Sequence, residues 1–236
     1  MNYKLLIIEN PLSTWNSQKT RHLLNDVVSL KAEGYGRAFQ DPFLVIPLDV
    51  FDFVGTHVLL FCNGELVMAY KTVLNSQCQR MNLDFPLNSI VRRCGTQTHQ
   101  NEYFSFYEHN KHLRMAYDCH LTVNNKAASN PEILYESLSI LHALAYHYRH
   151  DYGIDYSFML GTHFAGTHKT FLKMGAKNFA DLPPFRLNTY DQRDAQIMLC
   201  NKSFSLRTKE YALKWKNLWE TKEVITEVVA PKEKIA

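Results

Sequence analysis

The chain has 236 residues, 46% of them hydrophobic and 21% charged, which suits one large domain, or one domain with an added helical piece. A formal net charge of +3 does not by itself imply a nucleic-acid partner, although it permits a local basic face for an acidic carrier or a phosphate. No apolar run is long enough to span a bilayer. The opening MNYKLLIIEN lacks the length and small-residue cleavage site of a signal peptide. Cys62, Cys78, Cys94, Cys119 and Cys200 form no CxxC pair, as expected for reduced thiols, so a soluble, cytoplasmic protein is expected.

Tyr3 to Glu9 is predicted as a first strand. A helix follows over Ser17 to Glu33, with Leu23, Leu24, Val27, Val28 and Leu30 on its apolar side and Gly34 and Gly36 as its breakers. Ala38 to Leu48 is mixed and is left unassigned. His57 to Cys62 and Glu65 to Val73 form a hairpin around Asn63-Gly64, two residues that tolerate positive φ. Leu74 to Glu108 reads as a helix-poor flap, or as a short helix followed by an extra strand. Leu113 to Val123 is β-branched and aromatic and ends at the Asn124-Asn125 turn.

Asn130 then caps a helix that begins at Pro131. Ile133, Leu134, Leu138, Leu141, Leu144, Ala145 and Tyr148 recur along it at spacings of three and four. Asp151-Tyr152-Gly153 ends that helix, Ile154 to Leu160 is a short strand, and Gly161 opens a second helical segment stopped by Gly175. Strands at Phe185 to Asn188 and Ala195 to Phe204, around a Tyr190-Asp191 turn, complete the sheet. Ser205 to about Val228 is a charged amphipathic helix. Two strands joined through a helix imply parallel neighbours and a right-handed crossover.

The order from Arg114 to Ala176, closed by the phrase Thr170 to Ala176 (TFLKMGA), resembles the second half of the GNAT superfamily of acyltransferases. Asp49-x-x-Asp52, followed by a hairpin with Lys71 on its second strand, is similar to the branch containing the acyl-homoserine-lactone and N-acyl amino acid synthases, where Arg is usual at the lysine. The resemblance implies a mixed α/β sheet of about seven strands flanked by helices, with a V-shaped split beside Val123. It divides the chain into an acyltransferase domain, 1–204, and a C-terminal helix and tail, 205–236. Two departures stand out: Asn125 to Asn130 has no glycine where the family has a pyrophosphate loop, and Phe171 replaces a tyrosine that often serves as general acid.

Acyl transfer to an amine needs a bound thioester, an oxyanion donor and a base. In the resembled fold, backbone groups near Leu121 and Val123 hold the pantetheine arm. The helix starting at Pro131 aims its N-terminus at a phosphate, with Lys126, Ser129 and Asn130 as added donors. An ordinary capped helix accounts equally for Asn130-Pro131. A single-phosphate 4′-phosphopantetheine suits the glycine-free loop better than free CoA, so acyl carrier protein is a candidate partner, attracted by Arg80, Arg92, Arg93, Lys111 and Arg114. The donor is acyl-CoA or acyl-phosphopantetheine, with no permanently bound cofactor.

For the base, Tyr117, Asp118 and His120 lie on the central strand, where alternation puts Asp118 and His120 on one face and Tyr117 and Cys119 on the other. His120 has a proton affinity suited to an amine; its competing reading is a hydrogen-bonded core residue. The same alternation argues against a Cys119–His120 nucleophile pair. Asp49, Asp52 and Lys71 are candidate substrate-binding residues, with helix capping and ion pairing to Lys71 and Arg80 as the alternative. Metal ligation is not expected of His163 and His168, five apart, or of His147 and His150, which read as a solvated helix end. The expected function is transfer of a fatty acyl group to the amine of an amino acid or similar small metabolite. A small-acyl N-acetyltransferase and a GNAT-shaped binding module without turnover are the alternatives.

Overall fold

The computed structural model describes residues 1–40, 48–163, 166–187 and 193–226. Nine strands form one sheet: β1 (Tyr3–Glu9), β2 (Thr56–Cys62), β3 (Glu65–Leu74), β4 (Met115–Val123), β5 (Tyr156–Thr162), β6 (Lys177–Asn178), β7 (Phe185–Arg186), β8 (Asp194–Cys200) and β9 (Glu223–Ile225). Their order is β6-β8-β5-β4-β3-β2-β1-β9, with β7 also pairing β8. Three of the nine are only two or three residues long, which accounts for the excess over the seven expected. Asn63 and Gly64 take positive φ between β2 and β3, as the hairpin requires. Both sides of the expected Tyr190-Asp191 turn are strands, and the turn itself lies outside the described residues.

Helices cover both faces. On one, α6 (Asn125–Ser129), α7 (Pro131–Asp151) and α8 (Thr167–Met174) bury Ile140, Leu141, Leu144, Tyr148, Phe171 and Met174 against Leu5, Val58, Met68, Ala116 and Met159. Phe171, where a general-acid tyrosine was expected by resemblance, is part of this core. The opposite face carries α1 (Gln18–Phe39) over β1–β4 through Leu23, Val27 and Leu30. Beside it lie α3 (Asn75–Arg80), α4 (Pro86–Cys94) and α5 (Gln97–Asn110). The segment expected to be a flap is therefore helical, and its aromatic run is core: Tyr103 donates to Asn88 Oδ1 at 2.8 Å and packs on Phe158 and Phe179.

Two further expectations are corrected. α1 continues through Gly34 and Gly36 to a left-handed cap at Gln40, φ 55°. Gly34 is there for space, because a Cβ at this position would collide with Thr122 Cγ2 and sit 3.2 Å from the Val123 carbonyl oxygen. Beyond Phe204 the chain is not one helix. α9 (Leu206–Lys214) ends at Trp215, α10 (Lys216–Glu220) follows, and β9 adds to β1 in parallel, Ile7 opposite Val224. Both tryptophans dock this segment on α7, Trp215 Nε1 donating to Ser139 Oγ at 2.9 Å and Trp219 Nε1 to Asp151 at 2.7 Å. His147 is consequently no solvated end: it bonds the Ala212 carbonyl at 3.0 Å and stacks on Trp219.

Candidate active site

The sheet opens in its middle. β4 and β5 pair in parallel only from Met115–Tyr156 to Asp118–Met159. Beyond that row β4 keeps to β3 as far as Val123, and β5 keeps to β8 as far as Thr162. Their last residues, Cys119–Val123 and Leu160–Thr162, diverge and form the split expected beside Val123. On β4 this is also where the register slips, because Lys71 faces Cys119 and Ala69 faces Thr122, leaving Tyr70 opposite both His120 and Leu121. His120 takes φ 57°, a left-handed backbone that costs a non-glycine residue on the order of 1–2 kcal/mol. Bulges of this kind re-aim side chains.

The bulge overturns the expected alternation. Asp118 points at α7, where Arg149 Nη2 donates to it at 2.9 Å while Nε donates to Ser157 at 2.7 Å. The His120 ring instead lies 6.4 Å from Tyr35 of α1, across the sheet from Asp118. Its Nδ1 is buried with no hydrogen-bond partner among the described residues. Burial, with the Lys71 and Lys31 charges next, holds the imidazole well below its ordinary pKa, so the ring is neutral at pH 7. Tyr117, packed on Phe85, is pushed well above the usual phenol value by burial, so it is a donor and not a base. The geometric objection to a Cys119–His120 pair lapses with the alternation, but burial pushes the Cys119 thiol up to about 12, and no thiolate forms there near neutrality.

Next to His120 is a buried charge cluster built from three elements. Asp49 and Asp52 open α2 (Val50–Val54) as a reciprocal capping box, each carboxylate accepting from the other's backbone N–H. Lys71 projects from β3 and donates to Asp49 Oδ1 at 2.9 Å and Asp52 Oδ1 at 3.0 Å. Lys31 of α1 donates to the same Asp52 oxygen at 2.6 Å. His57, beside Lys71 on β2, donates Nε2–H to the Asp52 carbonyl at 2.8 Å, and burial lowers its pKa to about 4. Burial alone would raise Asp52, but Lys71 and then Lys31 hold it well below the carboxylate range. Burial lowers Lys31; it also opposes the charge of Lys71, but the Asp52 and Asp49 carboxylates favour that charge and Lys71 is raised. Asp49 alone among the four ion-pair members reaches solvent, its side chain 47% exposed.

The structure thus brings Asp49, Asp52 and Lys71 together beside His120. Arg80 takes no part in the cluster. Lys31 and Tyr35 belong to the neighbourhood and were missed, although Lys31 carries a signal in the sequence: it follows Val27 by four residues and Leu24 by seven, in the apolar register of its helix.

The residues expected to hold the donor are more scattered. Leu121 packs into the α7-side core. The Val123 carbonyl accepts from Arg37 Nη2 at 3.0 Å, and the Glu33 carboxylate takes the Asn125 N–H at 2.6 Å, so the last turns of α1 clamp this corner. Lys126 pairs with Glu65, and Ser129 donates to the Lys126 carbonyl at 3.1 Å. Asn130 spends its side chain on the N–H groups of Glu132 and Ile133, at 3.0 and 3.3 Å. Among the basic residues ahead of β4, Arg92 pairs with Asp84 and Lys111 with Glu108. A groove of about 570 Å³ lies elsewhere, between α5 and β6–β8, and shares no residue with the cluster. Among the described residues no helix is long and apolar enough to cross a membrane.

A mixed sheet layered between helices and parted between its fourth and fifth strands is the GNAT-like fold in the form found in acyl-homoserine-lactone and N-acyl amino acid synthases. No protein-family profile matches the chain, and no curated protein is significantly similar to it in sequence. Solved structures are similar in shape. FeeM, an N-acyl amino acid synthase from uncultured soil microbes, superposes with a TM-score of 0.52 at 15% identity, covering 85% of this chain and 90% of FeeM. The CoA-dependent acyl-homoserine lactone synthase BjaI gives 0.56 at 12% identity over 94% and 92% of the two chains. The AHL synthase LasI gives 0.52 at 14% over 90% and 94%. These superpositions establish a common fold.

Proposed function

We propose that the protein is an N-acyltransferase that moves an acyl group, a fatty one by the kinship in fold, from a thioester to the amine of an amino acid or similar small metabolite. The observation that carries this reading is a strained His120 with an open ring nitrogen, set at the parting of β4 and β5 beside a charged cluster of which only Asp49 reaches solvent. Acyl-CoA or acyl-phosphopantetheine lies in the split along Leu121 and Val123. Asp49 receives the cationic acceptor, while Lys71, Lys31 and Asp52 hold Asp49 and α2 in place.

The amine lone pair attacks the thioester carbonyl carbon. For that lone pair to be free, the neutral imidazole of His120 first takes one proton from the ammonium; the C–N bond then forms, the C–S bond breaks, and a second proton passes from the nitrogen to the departing sulfur, so that the pantetheine leaves as a thiol. Tyr117 keeps its proton and polarises the carbonyl as a donor in this scheme. Asp118, tied to Arg149 on the far face, steadies β4 at the bulge and touches neither reactant. Capture of a phosphate at the start of α7 requires Lys126 to turn from Glu65, Ser129 from the Lys126 carbonyl, and Asn130 to release two N–H groups.

The test offers the purified protein one acyl group in two forms, as acyl-CoA and on acyl carrier protein, with a mixture of amino acids and small amines. Product amide is read by mass spectrometry and thiol release by colorimetry. Amide formed from either thioester in step with thiol release is expected. No amide from either donor, with thiol release at the uncatalysed rate, overturns the assignment.

A further inference from the structure

One face of the molecule carries a cluster of cations. Lys169 and Lys173 project from α8, and Arg207, Lys209 and Lys214 from α9, and among the described residues none of the five enters an ion pair. Elsewhere the pairing is extensive: Lys4 and Lys19 with Glu223, Lys126 with Glu65, Lys202 with Asp155, Lys216 with Glu220. α8 and α9 thus carry these five cations against a single carboxylate, Glu210.

The same face holds apolar side chains out in water. Leu206 and Leu213 are seven residues apart, on one side of α9, and are 74% and 77% exposed. Leu172, in the last turn of α8, is 43% exposed, and the two helices are tied where Ser205 Oγ donates to the Lys173 carbonyl at 2.7 Å. The undersides of both are firmly seated: His142 of α7 bonds Thr208 at 2.8 Å, and Thr208 Oγ1 donates to the Met174 carbonyl at 3.1 Å. The leucines are thus presented by a rigid support.

We propose that the outer face of α8 and α9 docks on an anionic lipid surface. Cations flanking the leucines meet lipid phosphates, and the leucines enter the acyl boundary, so a membrane satisfies both features at once. An acidic protein surface answers the charges but leaves Leu206 and Leu213 wet. α8 packs on β5, the strand that borders the split, so docking brings that opening close to the bilayer. The inference stands on exposure and charge alone and does not depend on the acyltransferase reading.

Flotation of the full chain with phosphatidylcholine vesicles, with or without phosphatidylglycerol, tests it without any substrate. Binding to the phosphatidylglycerol vesicles only, weakened as salt rises, is expected. Lys209→Glu/Lys214→Glu weakens it about tenfold or more, and Leu206→Ser/Leu213→Ser does so by a similar factor without changing the charge. Arg80→Glu/Lys111→Glu, charge-matched but on the α3–α5 side, binds as the parent does. Circular dichroism confirms that each variant is folded. No binding to anionic vesicles overturns the proposal; so does equal weakening by the control pair. Retention in the leucine variant with loss only in the charge variant, the pattern of an acidic protein partner, overturns it as well.

Discussion

Asp52 is the keystone of the buried cluster, and its replacement gives the sharpest test of it. Asp52→Asn keeps an oxygen to accept the Asp49 N–H but withdraws the charge that faces Lys31 at 2.6 Å. Lys71 retains Asp49, whereas Lys31, 2% exposed, is left with no anion. Stranding one buried charge costs about 3–5 kcal/mol. In a domain of this size that lowers Tm by roughly 6–20 °C. The double variant Lys31→Met/Asp52→Asn removes the stranded ammonium and should recover half of the loss or more. A pH series adds a further sign: burial already depresses Lys31, so the unfolded state of the single variant holds more protons than the folded state up to the ordinary lysine range. Its stability must therefore rise with pH toward about 10.5. Urea unfolding of the parent, Asp52→Asn, Lys31→Met and the double variant completes the cycle. A loss below about 1 kcal/mol in Asp52→Asn, or a double variant no more stable than the single, refutes the account.

Two further outcomes are expected. His120→Asn, which keeps a polar group and tolerates the left-handed backbone, should fold normally and lower single-turnover rates about a hundredfold. Because burial and Lys71 hold the imidazole well below 6.5, the parent rate should lack a rising limb near pH 6.5; such a limb, lost in the variant, would show the ring charging where a neutral one is required. Gly34→Ala should destabilise despite gaining about 1 kcal/mol of helix propensity, because overpacking costs about 1–3 kcal/mol. Thr122→Ser deletes the colliding methyl and should restore the loss, as read by urea midpoints.

Much of the framework is visible in the sequence because local chemistry and tertiary role agree. Asn63-Gly64 turns because both residues tolerate positive φ, and Asn130-Pro131 caps and starts α7 as composition dictates. Where they conflict, the sequence misleads. Gly34 looks like a stop, yet it lies inside α1 because β4 passes too close for a methyl group. The segment from Leu74 to Glu108 hides three short helices, since α5 presents aromatics on more than one side and shows little period. The bulge at His120 is a register slip between distant strands, and nothing in residues 117–123 announces it. Alternation therefore placed His120 with Asp118, when it belongs with Tyr35 and Lys71. Asp49, Asp52 and Lys71 were legible as a set, while their fourth member, Lys31, was hidden on a helix read only for its apolar side.

The parallel pairing of β9 with β1 bears on how the chain is made. β1 is made before the other strands of the sheet and acquires β2 as its inner neighbour within some sixty residues, but its outer edge stays open until Glu223–Ile225 arrives. Until then the strand Leu5-Leu6-Ile7-Ile8, wholly apolar at its centre, offers unpaired N–H and C=O groups to any passing strand. The closing piece is three residues long and reaches its place because Trp215 and Trp219 anchor the preceding helices to α7. A nascent or clipped chain lacking this piece retains nearly all of its core and yet exposes a sticky edge. The cover over this edge is thus supplied after the other strands, by residues that contribute little to the core they seal.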